Sequence, residues 1–135
     1  LAVGYHTDNL TITSAMGKLP WGASGNIKST IPDMMKFVKY QLANNDIVLE
    51  SHRPLIQFNK EFGLSYFWNI DSSNEKLGKQ YFHHGGVPRA QSYIYIIPKY
   101  NLGVFIITNQ SGKNTAHKMK EVLNQIFDKI ILVTK

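Results

Sequence analysis

Cysteine is absent from the 135 residues, which excludes disulfides and thiolate chemistry and argues against a structural zinc site. The absence does not fix a compartment, because many exported bacterial proteins lack cysteine too. Arginine is scarce as well: of the 15 basic residues only Arg53 and Arg89 are arginine. Nucleic-acid binders group Arg and Lys on one face, with Arg for bidentate contacts. Here the lysines are scattered, and the nearest thing to a cluster is Lys113, Lys118 and Lys120. The net charge of +6 therefore reads as a solvated lysine surface, and no nucleic-acid partner is expected. Nor does any apolar run approach the roughly 18 to 20 residues of a membrane helix. No basic-then-apolar leader opens the chain, which starts LAVGYHTDNL without methionine, so the natural N-terminus is expected elsewhere.

What is present suits one domain with a real core: 43% hydrophobic and 18% charged residues are globular rather than disordered proportions. The first third is punctuated by Gly17, Pro20, Gly22 and Gly25, so GKLPWGASGN reads as a loop. A helix then starts sharply. Thr30 is its cap, Pro32 lies in the first turn, and Asp33 stands at capping-box spacing. Met34, Met35, Val38 and Leu42 recur at helical period, and Asn44 and Asn45 end it. Residues from about Ile47 to Lys60 fit a second short helix followed by a loop. From Phe62 the period changes to two: FGLSYFWNI reads as a strand, DSSNEKLGK as a polar turn and QYFHHGG as a second strand. SYIYIIP and LGVFIITN, rich in β-branched and aromatic residues, form a hairpin through Lys99, Tyr100 and Asn101. A last helix carries Ala116, Met119, Leu123, Ile126, Phe127 and Ile130 on one face. The fold class is α+β: an antiparallel sheet of about four strands packed by a C-terminal helix.

The pair His83–His84 followed by Gly85–Gly86 is unusual at a strand end, because glycine weakens a strand unless something must approach its backbone. A strand end with a glycine bulge, its imidazoles satisfied by backbone groups, is the structural alternative. Metal binding by the pair is not expected, since adjacent strand residues diverge and no carboxylate cluster lies nearby. No cofactor is indicated.

GNIKSTIPDMMKFVKYQL resembles the Gly-rich loop and following helix of serine β-lactamases of the class C type and their penicillin-binding and esterase relatives. HHGGVPRAQSYIYIIPKYNLGVFIITN is similar to that family's third motif, in which Lys-Thr-Gly or His-x-Gly ends a strand beside the active site. The resemblance implies a substrate held against that strand, with His84 at the motif's first position for charge and proton transfer. It also implies Gly85 and Gly86 for close approach, and the backbone N–H of Val87 as an oxyanion-hole donor. Strand alternation sends His83 to the opposite face, where it reads as structural. Gly85 brings no hydroxyl, so Arg89 is a candidate for a substrate carboxylate. Asn109 is a candidate for lining the site, although a turn-forming asparagine explains it equally.

The family's nucleophile lies in Ser-x-x-Lys at a helix start. Ser73-Asn74-Glu75-Lys76 matches on paper but falls in the polar turn, and no Tyr-x-Asn occurs. The resemblance therefore implies that residues 1–135 are a single partial domain, the C-terminal portion of a β-lactamase/transpeptidase-like hydrolase whose N-terminal catalytic half lies upstream. Such a parent acts through an acyl-enzyme on an amide, β-lactam or ester, with a small molecule or peptide as substrate. A non-catalytic peptide- or protein-binding module of the same fold is the alternative. Alone, the chain is expected to be inactive and to form a homodimer or exchange strands. The family implies the periplasm or cell surface of a bacterium.

Overall fold

A computed structural model describes residues 2–6, 24–25 and 27–133. The expected loop residues Gly17, Pro20 and Gly22 lie outside the described residues, whereas Ser24 and Gly25 form a turn. Thr30 caps α1 (Ile31–Gln41): its hydroxyl oxygen accepts from the Asp33 N–H, leaving one fewer orphan donor in the first turn. Asn45 does not merely follow this helix. It caps a second one, α2 (Asp46–Ser51), by accepting from the Val48 N–H.

Among the described residues the sheet has six antiparallel strands in simple sequential order, β1 (Ile56–Gln57), β2 (Phe62–Leu64), β3 (Asn69–Asp71), β4 (Gln80–Val87), β5 (Ala90–Ile97) and β6 (Leu102–Thr108). The expected count of about four is exceeded for two reasons. Ile56 and Gln57 pair with Leu64 and Gly63, adding an edge strand. The stretch FGLSYFWNI is itself a hairpin, closed by the Ser65 N–H donating to the Trp68 carbonyl (2.9 Å), with Tyr66 and Phe67 exposed at its corner. No glycine, proline or asparagine marks that corner, so the period-two pattern ran through it. The β5–β6 hairpin turns through a single 3-10 turn, Pro98–Tyr100, and Asn101 takes the left-handed conformation (φ 47°) that asparagine tolerates.

Helices cover both faces of the sheet. On one face α1 meets Trp68, Ile70, Tyr81, Ile94 and Ile96 through Val38. On the other, α3 (Lys113–Val133) buries Met119, Leu123, Phe127 and Ile131, the last three packing with Leu77, Tyr95 and Ile97. The buried row of α3 also includes Thr115, so it runs at steps of four, while the anticipated Ile126 and Ile130 are partly buried beside it. Lys120, read with the other lysines as solvated, instead folds inward: its ammonium donates to the Tyr95 hydroxyl and lies 4.8 Å from that ring's centre. Buried His52, at the end of α2, stacks on Tyr81 (4.1 Å between ring centres) and shares a 3.0 Å hydrogen bond with Gln41 Oε1.

Two consequences can be measured. A Cβ at Gly103 of β6 would lie 2.1 Å from Val38 Cγ1, so Gly103→Ala is expected to force α1 off the sheet at a cost of about 1–3 kcal/mol, read from denaturant unfolding. Burial lowers the pKa of His52 below the ordinary 6.5, so the unfolded chain takes up a proton that the folded one refuses. Stability is then complete above that ordinary value and is lost as pH falls through it. His52→Gln should flatten this slope in melts recorded across about pH 5 to 8.

Candidate functional site

The site begins where two strands part company. β3 flanks only Gln80–Phe82 of β4, with Asn69 opposite Phe82 and Asp71 opposite Gln80. β5 accompanies β4 from Tyr81, opposite Ile96, to Val87, opposite Ala90, without a slipped residue. Among the described residues, His83 to Val87 therefore have a strand on one side and none on the other.

Which backbone groups face that gap follows from the ladder. Ser65 N–H donates to the Trp68 carbonyl and Ser72 N–H to the Glu61 carbonyl. Successive residues of an antiparallel strand point their N–H and C=O groups to alternate sides, so Asn69 and Asp71 direct theirs away from β2 and toward β4. By the same alternation Tyr81, His83, Gly85 and Val87 face β5, while His84 and Gly86 face the open edge. The Val87 N–H, anticipated as a donor to substrate, is thus turned into the ladder opposite Ala90. Gly86 is the residue whose N–H points out.

Side chains divide just as cleanly. A cavity of about 880 Å³ lies between α1 and the sheet, and His83, Gly85, Ser92, Ile94 and Phe105 line its sheet side. Met34, Phe37 and Gln41 of α1 and Trp68 and Asn69 near β3 close it. None of its lining residues among those described is Asp, Glu, Lys or Arg. His84 takes no part in it. Its ring lies on the α3 face, stacked on Tyr93 (4.4 Å between centres), in a row that continues through Tyr95 to Phe82. The histidine expected to face a substrate, His84, thus points away from this cavity, and its neighbour His83 lines it. His83-His84-Gly85 is also a His-x-Gly, and the two overlapping frames present their His and Gly on opposite faces of the sheet.

The remaining candidates scatter. Pro88 and Arg89 form the two-residue turn between β4 and β5, with Arg89 at φ 88° in the position of a type II turn that favours glycine. Its stem lies against Gly4, where an added Cβ would be 2.1 Å from Arg89 Cβ. Arg89 is not among the residues that line the cavity. Asn109 likewise does not line it; its Nδ2 donates to the Val3 carbonyl (2.8 Å) while its own carbonyl accepts from the Tyr5 N–H. These contacts brace the segment 3–6 against the end of β6. Ser73 remains in a turn, donating through N–H and Oγ to Asp71 Oδ1 (2.8 and 2.6 Å), far from a helix start.

Glycine has different reasons at the two positions. A Cβ at Gly85 would stand 2.8 Å from Ser92 Oγ, whereas one at Gly86 would meet only ordinary contacts, the nearest His84 Cε1 at 3.5 Å. A side chain at position 85 would therefore have to displace the Ser92 hydroxyl, whereas one at position 86 has room.

Burial lowers the pKa of His84, and the neighbouring His83 lowers it further through like charge. Its neutral form is thus favoured to a lower pH than the ordinary 6.5 allows. In a two-dimensional NMR titration His84 should titrate below that value, and His83→Gln should move it back upward by removing the second charge.

A family model described as Beta-lactamase matches residues 1–127. A search of curated proteins returned no match. The match runs through the Gly-rich segment, α1, the whole sheet and most of α3, and with it the chain belongs to the beta-lactamase family.

Proposed function

We propose that this chain forms the substrate-binding wall of a β-lactamase-related serine hydrolase that works through an acyl-enzyme on an amide, β-lactam or ester. The observation that carries this reading is the gap beside β4, where the outward backbone of His84 and Gly86 borders an apolar cavity holding His83. A flat, amide-like substrate laid along that edge completes the ladder as an added strand. Its carbonyl oxygen then meets the Gly86 N–H, a fixed donor aimed where negative charge develops on attack.

His83 and Gly86 take the parts first assigned to His84 and Val87. The His83 imidazole, exposed on the cavity face, is placed to pass a proton to or from the reacting group. His84 serves instead on the opposite face of the same edge, stacked on Tyr93. The nucleophile is supplied by a serine outside this set of residues, in a Ser-x-x-Lys that opens an apolar helix in the parent protein. Acyl transfer then needs an oxyanion donor, a proton relay and a wall that excludes water, and this chain contributes all three.

The test uses the full-length gene product. A fluorophosphonate or a β-lactam should label one serine covalently, and a p-nitrophenyl ester should be turned over. His83→Ala should lower kcat/KM by about 10²- to 10⁴-fold, while His84→Ala should change it by only a few-fold. Equal losses in the two variants would return the role to His84, and absence of any covalent label would leave a peptide-binding module of the same fold.

A further inference from the structure

The cavity's sheet side holds a hydroxyl that the proposed reaction has not used. Ser92 of β5 stands directly across from Gly85 of β4, and both line the cavity. Among the described residues Ser92 Oγ has no hydrogen-bond partner, and the residue is only half-buried. A hydroxyl flanked by Ile94 and Phe105 on an apolar floor would otherwise be a poor choice, since it is partly desolvated and gains nothing in return.

Gly85 explains how that hydroxyl is reached. Any side chain at position 85 would project its Cβ to within 2.8 Å of Ser92 Oγ. With glycine there, no Cβ crowds the Ser92 hydroxyl, and both residues line the cavity. We propose that Ser92 is a substrate-binding residue, its hydroxyl donating through the gap over Gly85 to an acceptor oxygen of an acyl substrate lying along the β4 edge. The strand that meets the substrate is thus bare at this point, and the adjacent strand supplies the polar contact. No acidic side chain lines the cavity among the described residues, so either a carbonyl or a carboxylate oxygen can take that bond without repulsion.

This inference rests on reading the β4 edge as a substrate wall, but its test needs no nucleophile. Benzylpenicillin and its methyl ester, each with an aromatic side group suited to the apolar floor, are titrated into the full-length gene product by NMR. Both carry amide and lactam carbonyls, and only the free acid carries a carboxylate. Wild type should bind benzylpenicillin with shifts at Gly85, Gly86 and Ser92, and Ser92→Ala should weaken binding about tenfold, the usual size for one hydrogen bond to a charged or polarised oxygen. A parallel loss with the ester identifies a carbonyl acceptor; a loss confined to the acid identifies the carboxylate.

A double-mutant cycle isolates the gap itself. Gly85→Ala should cost about as much as Ser92→Ala, because its methyl turns the hydroxyl aside, and the double variant should cost no more than either. Additive losses, unchanged affinity in Ser92→Ala, or no binding by wild type would each overturn the proposal. Binding that depends on Ser92 in a protein that never acquires a covalent label would keep this inference and overturn the enzymatic reading. Covalent labelling with affinity indifferent to Ser92 would do the reverse.

Discussion

Everything proposed for this protein depends on the unbroken ladder between β4 and β5. From Tyr81 opposite Ile96 to Val87 opposite Ala90 no residue is skipped, so one parity governs the whole strand. It decides that His83 and Gly85 look into the cavity, that His84 looks at Tyr93, and that Gly86 offers its amide to the open edge. A one-residue slip of the whole strand would exchange all four assignments at once. The ladder continues into β6 in the same continuous way, which gives the strand a rigid backing against which a ligand can be positioned.

Helices on both faces hold that backing flat against its load. α1 comes close enough to β6 that only glycine fits beneath Val38, while α3 lays a row of apolar side chains over Tyr95 and Ile97. Burial, with Asp71 adding a smaller effect, pushes the Tyr95 hydroxyl up to about 12. It therefore stays protonated beneath Lys120 and acts as a structural post rather than a base. The aromatic row of His84, Tyr93, Tyr95 and Phe82 thus backs the edge from the face opposite the cavity.

Much of this was legible in the sequence, and the rest failed for identifiable reasons. The cap at Thr30, the period of α1 and α3, and the β5–β6 hairpin all carry strong local signals, and the structure has them. The hairpin within FGLSYFWNI was hidden because its corner uses Tyr66 and Phe67, residues that read as strand. The choice between His83 and His84 was not a matter of motif but of face, and two adjacent His-x-Gly frames leave the motif undecided. Likewise Val87 and Gly86 differ only in which neighbour their amides address, a property set by where β3 starts. Asn109 and Arg89 looked functional because polar residues at strand ends often are; the contacts they make with segment 3–6 come from more than 80 residues away in the chain, beyond the reach of local pattern.

The charge distribution has a kinetic meaning. The chain as a whole carries +6, yet none of the described residues that line the cavity is ionised at neutral pH in the ordinary way of Lys, Arg, Asp or Glu. Arrival and residence are thereby separated. The long-range field hastens the approach of an anion and fades as salt shortens its reach, but the described lining of the cavity offers only aromatic contact and uncharged hydrogen bonds. Ionic strength should consequently act on how fast such a ligand arrives and leave almost untouched how long it stays.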